Sequence, residues 1–321
     1  MTSPLEVHFT MGSHAGVVRQ GNEDSVGALG LVLGRRDDAV EQTVARLSPT
    51  PAICALSDGA GGHPSGDTAS RLVVEAALGW KGEASGSEAL SEIAMAADEA
   101  IVRESALRPE RAGMGATIAL LVVTEDSVLH ANVGDSRIYE VTGEQLIQLS
   151  VDDNPPPLPW DPDHGRSSVL LQMIGAAPAT GFDVHSSRLA VEPGLRFLMC
   201  SDGLTDVLDD DSILELIRSA AEDADAVKAL LDAAVQGGAP DNVTVALAAV
   251  REVEEPLSVS DAPDAGSVGW DGQQTDGAEP TGVESSLAET EAPRSFGGFT
   301  EGESEVGGIK PLTRDGEDAP K

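Results

Sequence analysis

Two apolar segments of this sequence end in the same tripeptide, Ser-Asp-Gly. They are AICALSDG at residues 52–59 and LRFLMCSDG at residues 195–203. Short runs that are rich in apolar and β-branched residues and bounded by turn residues are typical of β-strands. An aspartate at the end of such a strand lies close to the core, and the glycine after it permits a sharp turn of the backbone. The chain is therefore expected to carry acidic groups at the ends of core strands.

Further strand-like runs indicate that sheets dominate residues 1–250. These runs are LEVHF, ATIALLVVT, SVLHANV, SRIYEV, QLIQL and VTVALAAV. The connections at 124–126 and 141–145 have the composition of hairpin turns. Helical periodicity is confined to three stretches, which are residues 65–80, 87–104 and 209–236. Runs of strands with segregated helix pairs predict an α+β domain with antiparallel sheets rather than a doubly wound parallel sheet.

The formal net charge is −35, from 55 acidic and 20 basic residues. It argues against a nucleic-acid or anionic-membrane binder, because the field of the protein would repel phosphate polymers. No apolar stretch approaches the length of a membrane span, and the N-terminus lacks the regions of a signal peptide, so a cytoplasmic location is expected.

The two cysteines, Cys54 and Cys200, lie in the two apolar runs that end in Ser-Asp-Gly. They are expected to be buried, reduced neighbours.

The composition changes near residue 251. Residues 251–321 hold 17 acidic and 5 basic residues, a net charge of −12, and are rich in Gly, Pro and Ser. Such a segment buries too little apolar surface to offset its ordering entropy. The sequence thus predicts one folded domain at residues 1–250 and an acidic, disordered tail at 251–321, interpreted as a solubilising segment rather than a docking motif.

Aspartates follow strand-like runs at five points of the folded domain. They are Asp24, Asp58, Asp135, Asp202 and Asp241. One Asp-Gly pair alone is more often an ordinary turn, but five acids that meet in a small volume would repel one another unless cations lay between them. Oxygen ligands without a His or Cys cluster favour Mg²⁺ or Mn²⁺. Two such ions that share a carboxylate can activate water and hold a phosphoryl group for in-line attack.

The segments around these acids occur in one order along the chain. They are SHAGVVRQGNEDSV, SDGAGGHPSGDTAS, AGMGATIAL, ANVGDSRIY, FLMCSDGLTDVLDDDSI and GGAPDNVTVALAAV. This ordered set resembles the bacterial branch of the PPM (PP2C-type) metal-dependent protein serine/threonine phosphatases, over about residues 8–250. The resemblance implies two stacked antiparallel β-sheets flanked by helix pairs, which is an α-β-β-α sandwich within the α+β class.

The resemblance also implies roles for the acids. Asp58 would bridge two metal ions, and Gly59 would bind one of them through its carbonyl oxygen. Asp202 and Asp241 would hold one ion. Asp135 would serve a third ion together with Asp202.

Five further residues acquire roles in the same way. Asp24, counted with the metal residues, and Glu23, in the surrounding shell, would act through water on the ions, with Asn242 beside them. Arg19 would hold the substrate phosphate, because a planar guanidinium suits phosphate oxygens. His63 would either donate a proton to the leaving alkoxide or make a structural hydrogen bond, and both interpretations stay open, with water on the metal as another acid.

Two segments depart from the family pattern. After QLIQL the family usually continues Thr-x-Asp-His, whereas this chain has Ser-Val-Asp-Asp at residues 150–153, so that Asp153 replaces the histidine. The next segment, NPPPLPWDPDHGRSS at 154–168, is rich in proline, and its Trp160 is either a contact for the substrate peptide or part of a solvated loop. Both differences bear on substrate specificity and leave the metal residues unchanged.

The resemblance thus implies a phosphoric monoester hydrolase that removes phosphate from phosphoserine and phosphothreonine with two or three Mn²⁺ or Mg²⁺ ions and opposes serine/threonine kinases. The alternative is a catalytically weak pseudophosphatase that binds phosphoproteins. A narrower substrate, a phosphorylated anti-sigma-factor antagonist, ranks lower. Phosphorylated proteins and their kinases are the expected partners, and a monomer is the expected state. The negative charge favours phosphosites flanked by Lys or Arg.

Overall fold

The computed structural model describes residues 4–34, 39–60, 65–84, 86–155, 169–175 and 181–253. Its strands are β1 (Leu5–His14), β2 (Asp24–Ala28), β3 (Leu31–Gly34), β4 (Val40–Arg46), β5 (Ala52–Asp58), β6 (Ile118–Val123), β7 (Ser127–Val133), β8 (Arg137–Val141), β9 (Leu146–Gln148), β10 (His185–Ala190), β11 (Arg196–Cys200) and β12 (Val243–Glu252). Its α-helices are α1 (Gly66–Gly79), α2 (Ser87–Leu107), α3 (Asp202–Thr205), α4 (Asp210–Ser219) and α5 (Asp223–Gln236).

The strands form two six-stranded sheets. The first sheet has the order β4-β1-β12-β11-β8-β9, and the second has the order β10-β7-β6-β5-β2-β3. Neighbouring strands pair antiparallel throughout. The predicted α+β class with antiparallel sheets is therefore confirmed. Four strands escaped prediction: β4 and β10 because most of their residues face solvent, and β2 and β3 because glycine and serine interrupt the apolar residues of segment 24–34.

Successive side chains of a strand point to opposite faces of its sheet, and the buried ones form three apolar layers. In β5, Cys54 and Leu56 pack between the two sheets, whereas Ile53 and Ala55 pack against α1 and α2. In the first sheet, the side chains on the face away from the second sheet pack against α4 and α5. A strand that is buried on both faces reads as one continuous apolar run, which explains the two segments that end in Ser-Asp-Gly.

The two cysteines are buried and reduced, as predicted, but they are not neighbours. Cys54 lies between the sheets, and Cys200 lies on the outer face of the first sheet under α4 and α5. The prediction was wrong because counting by twos assigns residues to a face of their own strand. It does not say which face of that strand meets the other sheet.

The helices begin close to their predicted positions. The side chain of Asp209 caps α4 by accepting a hydrogen bond from the backbone N–H of Ser212 at 2.9 Å. The long stretch 209–236 divides into α4 and α5, as expected from its break near Asp223. Gly86, rather than Ser87, is the N-cap of α2.

Among the residues that the structure describes, no helix combines the length and the apolar character needed to cross a bilayer. Residues 254–321 lie outside the described residues. The tail, the domain boundary at residue 250 and the cytoplasmic location therefore stay predictions.

Candidate metal centre

The strand ends that carry the predicted acids meet at one end of the two sheets. Asp24 opens β2 and lies opposite Asp58, the last residue of β5, in the ladder between these strands. In the first sheet, β11 ends two residues before Asp202, and it pairs antiparallel with β12, which starts two residues after Asp241. The end of a strand lies beside the start of its antiparallel neighbour. Chain direction therefore brings acids from distant positions together.

A buried hydroxyl group joins the two sheets at this end. Ser201, the serine of the second Ser-Asp-Gly, donates its hydroxyl hydrogen to Oδ2 of Asp24 at 2.8 Å. Its Oγ accepts the backbone N–H of Thr244 at 3.0 Å, and the hydroxyl of Thr244 lies 2.6 Å from that of Ser13. Ser201 thus ties the end of β11 to the acid that opens β2.

The first Ser-Asp-Gly is held in a similar way by Thr117. The hydroxyl of Ser57 donates to the carbonyl oxygen of Thr117 at 2.6 Å, and the backbone N–H of Asp58 donates to its Oγ1 at 2.9 Å. The same Oγ1 lies 2.7 Å from the hydroxyl of Ser136, next to Asp135. Small hydroxyl side chains therefore hold the backbone around the acids.

The glycine in both tripeptides allows another backbone to approach closely. A Cβ atom on Gly59 would lie 2.3 Å from the carbonyl oxygen of Gly66, and one on Gly203 would lie 2.0 Å from that of Asn242. Any side chain at either position would collide with main-chain atoms that cannot easily move. Close packing therefore requires these glycines, whatever further role the carbonyl of Gly59 has.

The acids share an uncompensated negative charge. Burial raises the pKa of Asp58 well above its usual range, and nearby charges raise it further. Those charges belong to Asp24, Asp202, Asp135 and Asp241. Burial, followed by charge repulsion, raises the pKa of Asp202 to about 8, and burial raises that of Asp24 to about 6. Within the described ranges, Oδ1 of Asp24 and Oδ1 of Asp202 are buried without a hydrogen-bond partner. Both features are what a bound cation would relieve.

The donor set fits hard divalent cations in an open site. In the described part of the chain, no three His, Cys, Asp or Glu side chains are placed to hold an ion by themselves. Mg²⁺ usually keeps several water ligands and binds few protein carboxylates. Carboxylate oxygens, together with main-chain oxygens and water, therefore suit ions of this kind better than a closed cage of side chains would.

Arg19 lies beside the acids, as the sequence predicted. Its Nη2 donates to Oδ2 of Asp241 at 2.6 Å, and this hydrogen bond raises the pKa of Arg19. The side chain of Arg19 is 42% exposed, so the guanidinium is accessible from solvent. A cation at the edge of an acidic cluster is placed to attract an anionic substrate to it.

Asn242 organises the loop between β1 and β2. Its Nδ2 donates to the carbonyl oxygens of Ala15 at 3.0 Å and Gly21 at 2.9 Å, and its Oδ1 accepts the N–H of Glu23 at 2.8 Å. Burial raises the pKa of Glu23. Asn242 thus positions the segment that carries Arg19, a contribution made through the backbone rather than toward an ion.

Asp135 lies at the turn between β7 and β8. It is buried, which raises its pKa, and its Oδ2 accepts a hydrogen bond from Nδ2 of Asn154 at 3.0 Å.

His63 and Trp160 lie outside the described residues, so their roles stay predictions. Sequence reasoning missed the hydroxyl groups of Ser201 and Thr117, although small hydroxyl residues beside the acids were a visible signal.

Comparisons with known proteins agree with this architecture. Residues 34–237 match the family model described as protein phosphatase 2C. This stretch includes Asp58, Asp135 and Asp202, and it excludes Asp24 and Asp241.

Among curated proteins, the chain is 31% identical over 260 residues to the serine/threonine protein phosphatase PstP of Mycobacterium tuberculosis. The alignment covers 78% of this chain and 46% of that protein, so the chain spans about half the length of this relative. It is 27% identical over 231 residues to the protein phosphatase PhpP of Streptococcus pneumoniae, which covers 67% of this chain and 92% of PhpP.

Among solved structures, the Mycobacterium tuberculosis serine/threonine phosphatase PstP/Ppp matches with a TM-score of 0.62 and 29% identity, over 77% of this chain and 99% of that one. The catalytic domain of PstP in complex with two manganese ions matches over the same shares, with a TM-score of 0.60. Two antiparallel sheets between helix pairs, acids gathered at one end, and a family model that matches most of the described residues lead to one conclusion: the chain belongs to the protein phosphatase 2C family.

Proposed function

We propose that this chain is a metal-dependent protein serine/threonine phosphatase. The observation that carries the proposal is the meeting of five buried or half-buried acids, two of them with an unpartnered carboxylate oxygen, beside the accessible guanidinium of Arg19. Both PstP and PhpP are named as protein phosphatases, which supports the same interpretation. The substrates proposed are phosphoserine and phosphothreonine in proteins, so the enzyme would oppose serine/threonine kinases.

The cofactors proposed are Mn²⁺ or Mg²⁺, as two or three ions. Asp24, Asp58, Asp202 and Asp241 would hold them, with Asp135 and the carbonyl of Gly59 as further ligands. The bound ions would supply the positive charge that lowers the pKa of water for attack on phosphorus. The catalytic domain of PstP was solved in complex with two manganese ions, which supports Mn²⁺ as the first cation to test.

The chain's own residues would position and hold the substrate. One N–H donor of Arg19 is used by Asp241, and guanidinium has five donors, so others can take phosphate oxygens. Ser201 and Thr117 hold the acid-bearing backbone before substrate arrives, which limits the reorganisation needed during reaction. His63 is proposed as the proton donor to the leaving alkoxide, with a structural hydrogen bond as its other role.

The test is hydrolysis of p-nitrophenyl phosphate and of a phosphothreonine peptide by the full chain, with Mn²⁺ and with EDTA. Mn²⁺-dependent turnover is expected, and it should be lost in Asp58→Asn. Asp126→Asn is the matched control, because Asp126 is exposed in the hairpin between β6 and β7, at the far end of the sheet. Equal turnover in Asp58→Asn and the control would refute the proposal. Stoichiometric binding of the phosphopeptide without phosphate release would instead favour the pseudophosphatase.

A further inference from the structure

Asp153, the residue that replaces a histidine of the family pattern, connects three separate segments. It is 8% exposed. Its Oδ2 accepts the backbone N–H of Gly134 at 2.7 Å, and its own N–H donates to the carbonyl oxygen of Gly134 at 3.1 Å. Its Oδ1 lies 2.8 Å from Nε2 of His185, the first residue of β10. Both carboxylate oxygens are therefore engaged, in contrast to those of Asp24 and Asp202.

The same residue also joins two of the described stretches of the long connection between β9 and β10, residues 149–155 and 169–175. The carbonyl oxygen of Asp153 accepts the N–H of Leu171 at 2.7 Å. One residue later, Asn154 donates to Oδ2 of Asp135 at 3.0 Å. Asp153 thus lies between His185, which is anchored in the second sheet, and the turn that carries Asp135.

The backbone of this turn has a conformation that suits glycine. Gly134 has a φ of +100°, a conformation that non-glycine residues avoid, and a Cβ atom there would lie 2.6 Å from the side chain of Thr117. Two hydrogen bonds with Asp153 hold Gly134 in that conformation: the N–H of Gly134 donates to the carboxylate of Asp153, and its carbonyl oxygen accepts the main-chain N–H of Asp153. Since Asp135 is the next residue, the direction of its carboxylate depends on this pair.

We propose that Asp153 and His185 together are positioning residues for Asp135, an inference that rests on the proposed function. In the family pattern the residue at 153 is itself a histidine. In this chain the imidazole comes from β10, and the carboxylate of Asp153 connects it to Gly134. Neither residue touches the reacting atoms. They orient Asp135 through the Gly134–Asp135 turn and through Asn154. Residues that hydrogen-bond to a metal ligand usually orient it in this way.

The experiment compares Asp153→Ala, Asp153→Asn and His185→Ala in the full chain. Asparagine keeps an oxygen for the N–H of Gly134 and an N–H for the imidazole, so it should rescue most of the alanine effect. Asp223→Asn is the matched control, because Asp223 is a buried acid with two arginine partners at the other end of the first sheet. Loss of stability alone would appear in that control as well.

Two quantities are measured: kcat and KM for p-nitrophenyl phosphate, and the affinity for Mn²⁺ of the metal-stripped protein, by calorimetric titration without substrate. Asp153→Ala is expected to lower kcat and to weaken the weakest Mn²⁺ site, each by about 10- to 100-fold. KM should change little, because Arg19 is not touched. His185→Ala should show a smaller loss in the same two quantities, since the Gly134 bond remains.

Wild-type kcat and Mn²⁺ affinity in Asp153→Ala would overturn the inference. If circular dichroism shows that Asp153→Ala does not fold, His185→Ala decides: wild-type values for both quantities would also overturn it. If the wild-type chain shows no Mn²⁺-dependent hydrolysis, the proposed function fails. The Mn²⁺ titration of the variants still reports separately on the support of Asp135.

Discussion

Buried acids lie at both ends of the stacked sheets, Asp223 at one end and Asp24 and Asp202 at the other, and their surroundings differ. At one end, Asp223 opens α5 and accepts hydrogen bonds from Nη2 of Arg196 and from Nη2 of Arg251, the latter at 2.7 Å. At the other end, Asp24 and Asp202 each have one buried oxygen without a partner among the described residues. Burial is similar at both ends, because Asp223 is 6% exposed and Asp24 is 1% exposed.

The difference separates a structural acid from acids reserved for a ligand. At Asp223 the protein itself supplies the compensating cations, so the carboxylate joins β11, β12 and α5. At the other end the only described arginine bonded to one of the five acids is Arg19, on Asp241, and the core acids repel one another. A buried charge without a partner lowers stability. The divalent cations proposed above would supply the compensation that the described residues do not give to these acids.

The largest expected effect concerns activity. Asp202→Asn should lower the Mn²⁺-dependent kcat by more than about 100-fold, beyond the range typical of residues one step removed from a metal. Asp223→Asn should leave kcat within about twofold, because its carboxylate faces other elements of the fold. Steady-state kinetics at a temperature where both variants are folded measures this. Similar losses in the two variants would erase the distinction between the two ends.

In the metal-free protein, substitutions at Asp223 and at Asp58 should change the free energy of unfolding in opposite directions. Asp223→Asn should lower the free energy of unfolding by about 2 kcal/mol, less than for a fully buried pair because Arg251 is half exposed. Asp58→Asn should raise it, since asparagine removes a carboxyl group whose ionisation is opposed by burial and by its acidic neighbours in the folded state. Urea denaturation in EDTA measures both. Destabilisation of the metal-free protein by Asp58→Asn would contradict the electrostatic account.

The pH dependence of stability follows from the raised pKa values. In the folded protein the pKa of Asp202 is about 8 and that of Asp24 is about 6, whereas an unfolded chain loses these protons near pH 4, at about 3.9. The folded state therefore holds more protons between about pH 4 and about pH 8. The free energy of unfolding falls as the pH rises through this window, by at most about 1.4 kcal/mol per pH unit for each retained proton.

Urea denaturation of the metal-free protein at several pH values in this window checks the slope. Asp202→Asn serves as the reference, because it removes one titrating group and should show a shallower fall. Identical slopes in the wild type and in this variant would mean that Asp202 keeps an ordinary pKa.

The smallest expected effect concerns substrate charge. The negative charge of Asp67 raises the pKa of Glu23, and that of Asp206 raises the pKa of Asp202. The surroundings of the site are therefore negative as well. At low salt, kcat/KM for a phosphothreonine peptide flanked by Lys should exceed that for a Glu-flanked peptide by about tenfold. The ratio should shrink as salt is added. Equal values at low salt would rule out steering by the acidic end.

Much of this could be predicted from the sequence, for reasons visible in particular residues. The apolar runs 52–58 and 195–201 predicted β5 and β11, because strands buried on both faces need continuous apolar sequence. Asp58 and Asp202 were predictable because each stands at the end of its apolar run, whereas Asp24 and Asp241 lie at the start of β2 and before β12 instead of after a strand. Strands such as β4 and β10 were not predictable, since their exposed residues give no apolar signal. The pairing of Asp153 with His185 was also out of reach, because 32 residues separate them.

The sequence alone determined which residues are acidic, where most of the core strands run, and that five acids lie near strand termini, because burial and turn chemistry are local properties of the chain. The tertiary structure decided which acids are compensated. Arg196 and Arg251 reach Asp223 through antiparallel pairing of β11 with β12, while Ser201 reaches Asp24 across the two sheets. Charge compensation depends on distances of a few ångströms between residues far apart in the chain, and only the folded backbone sets those distances.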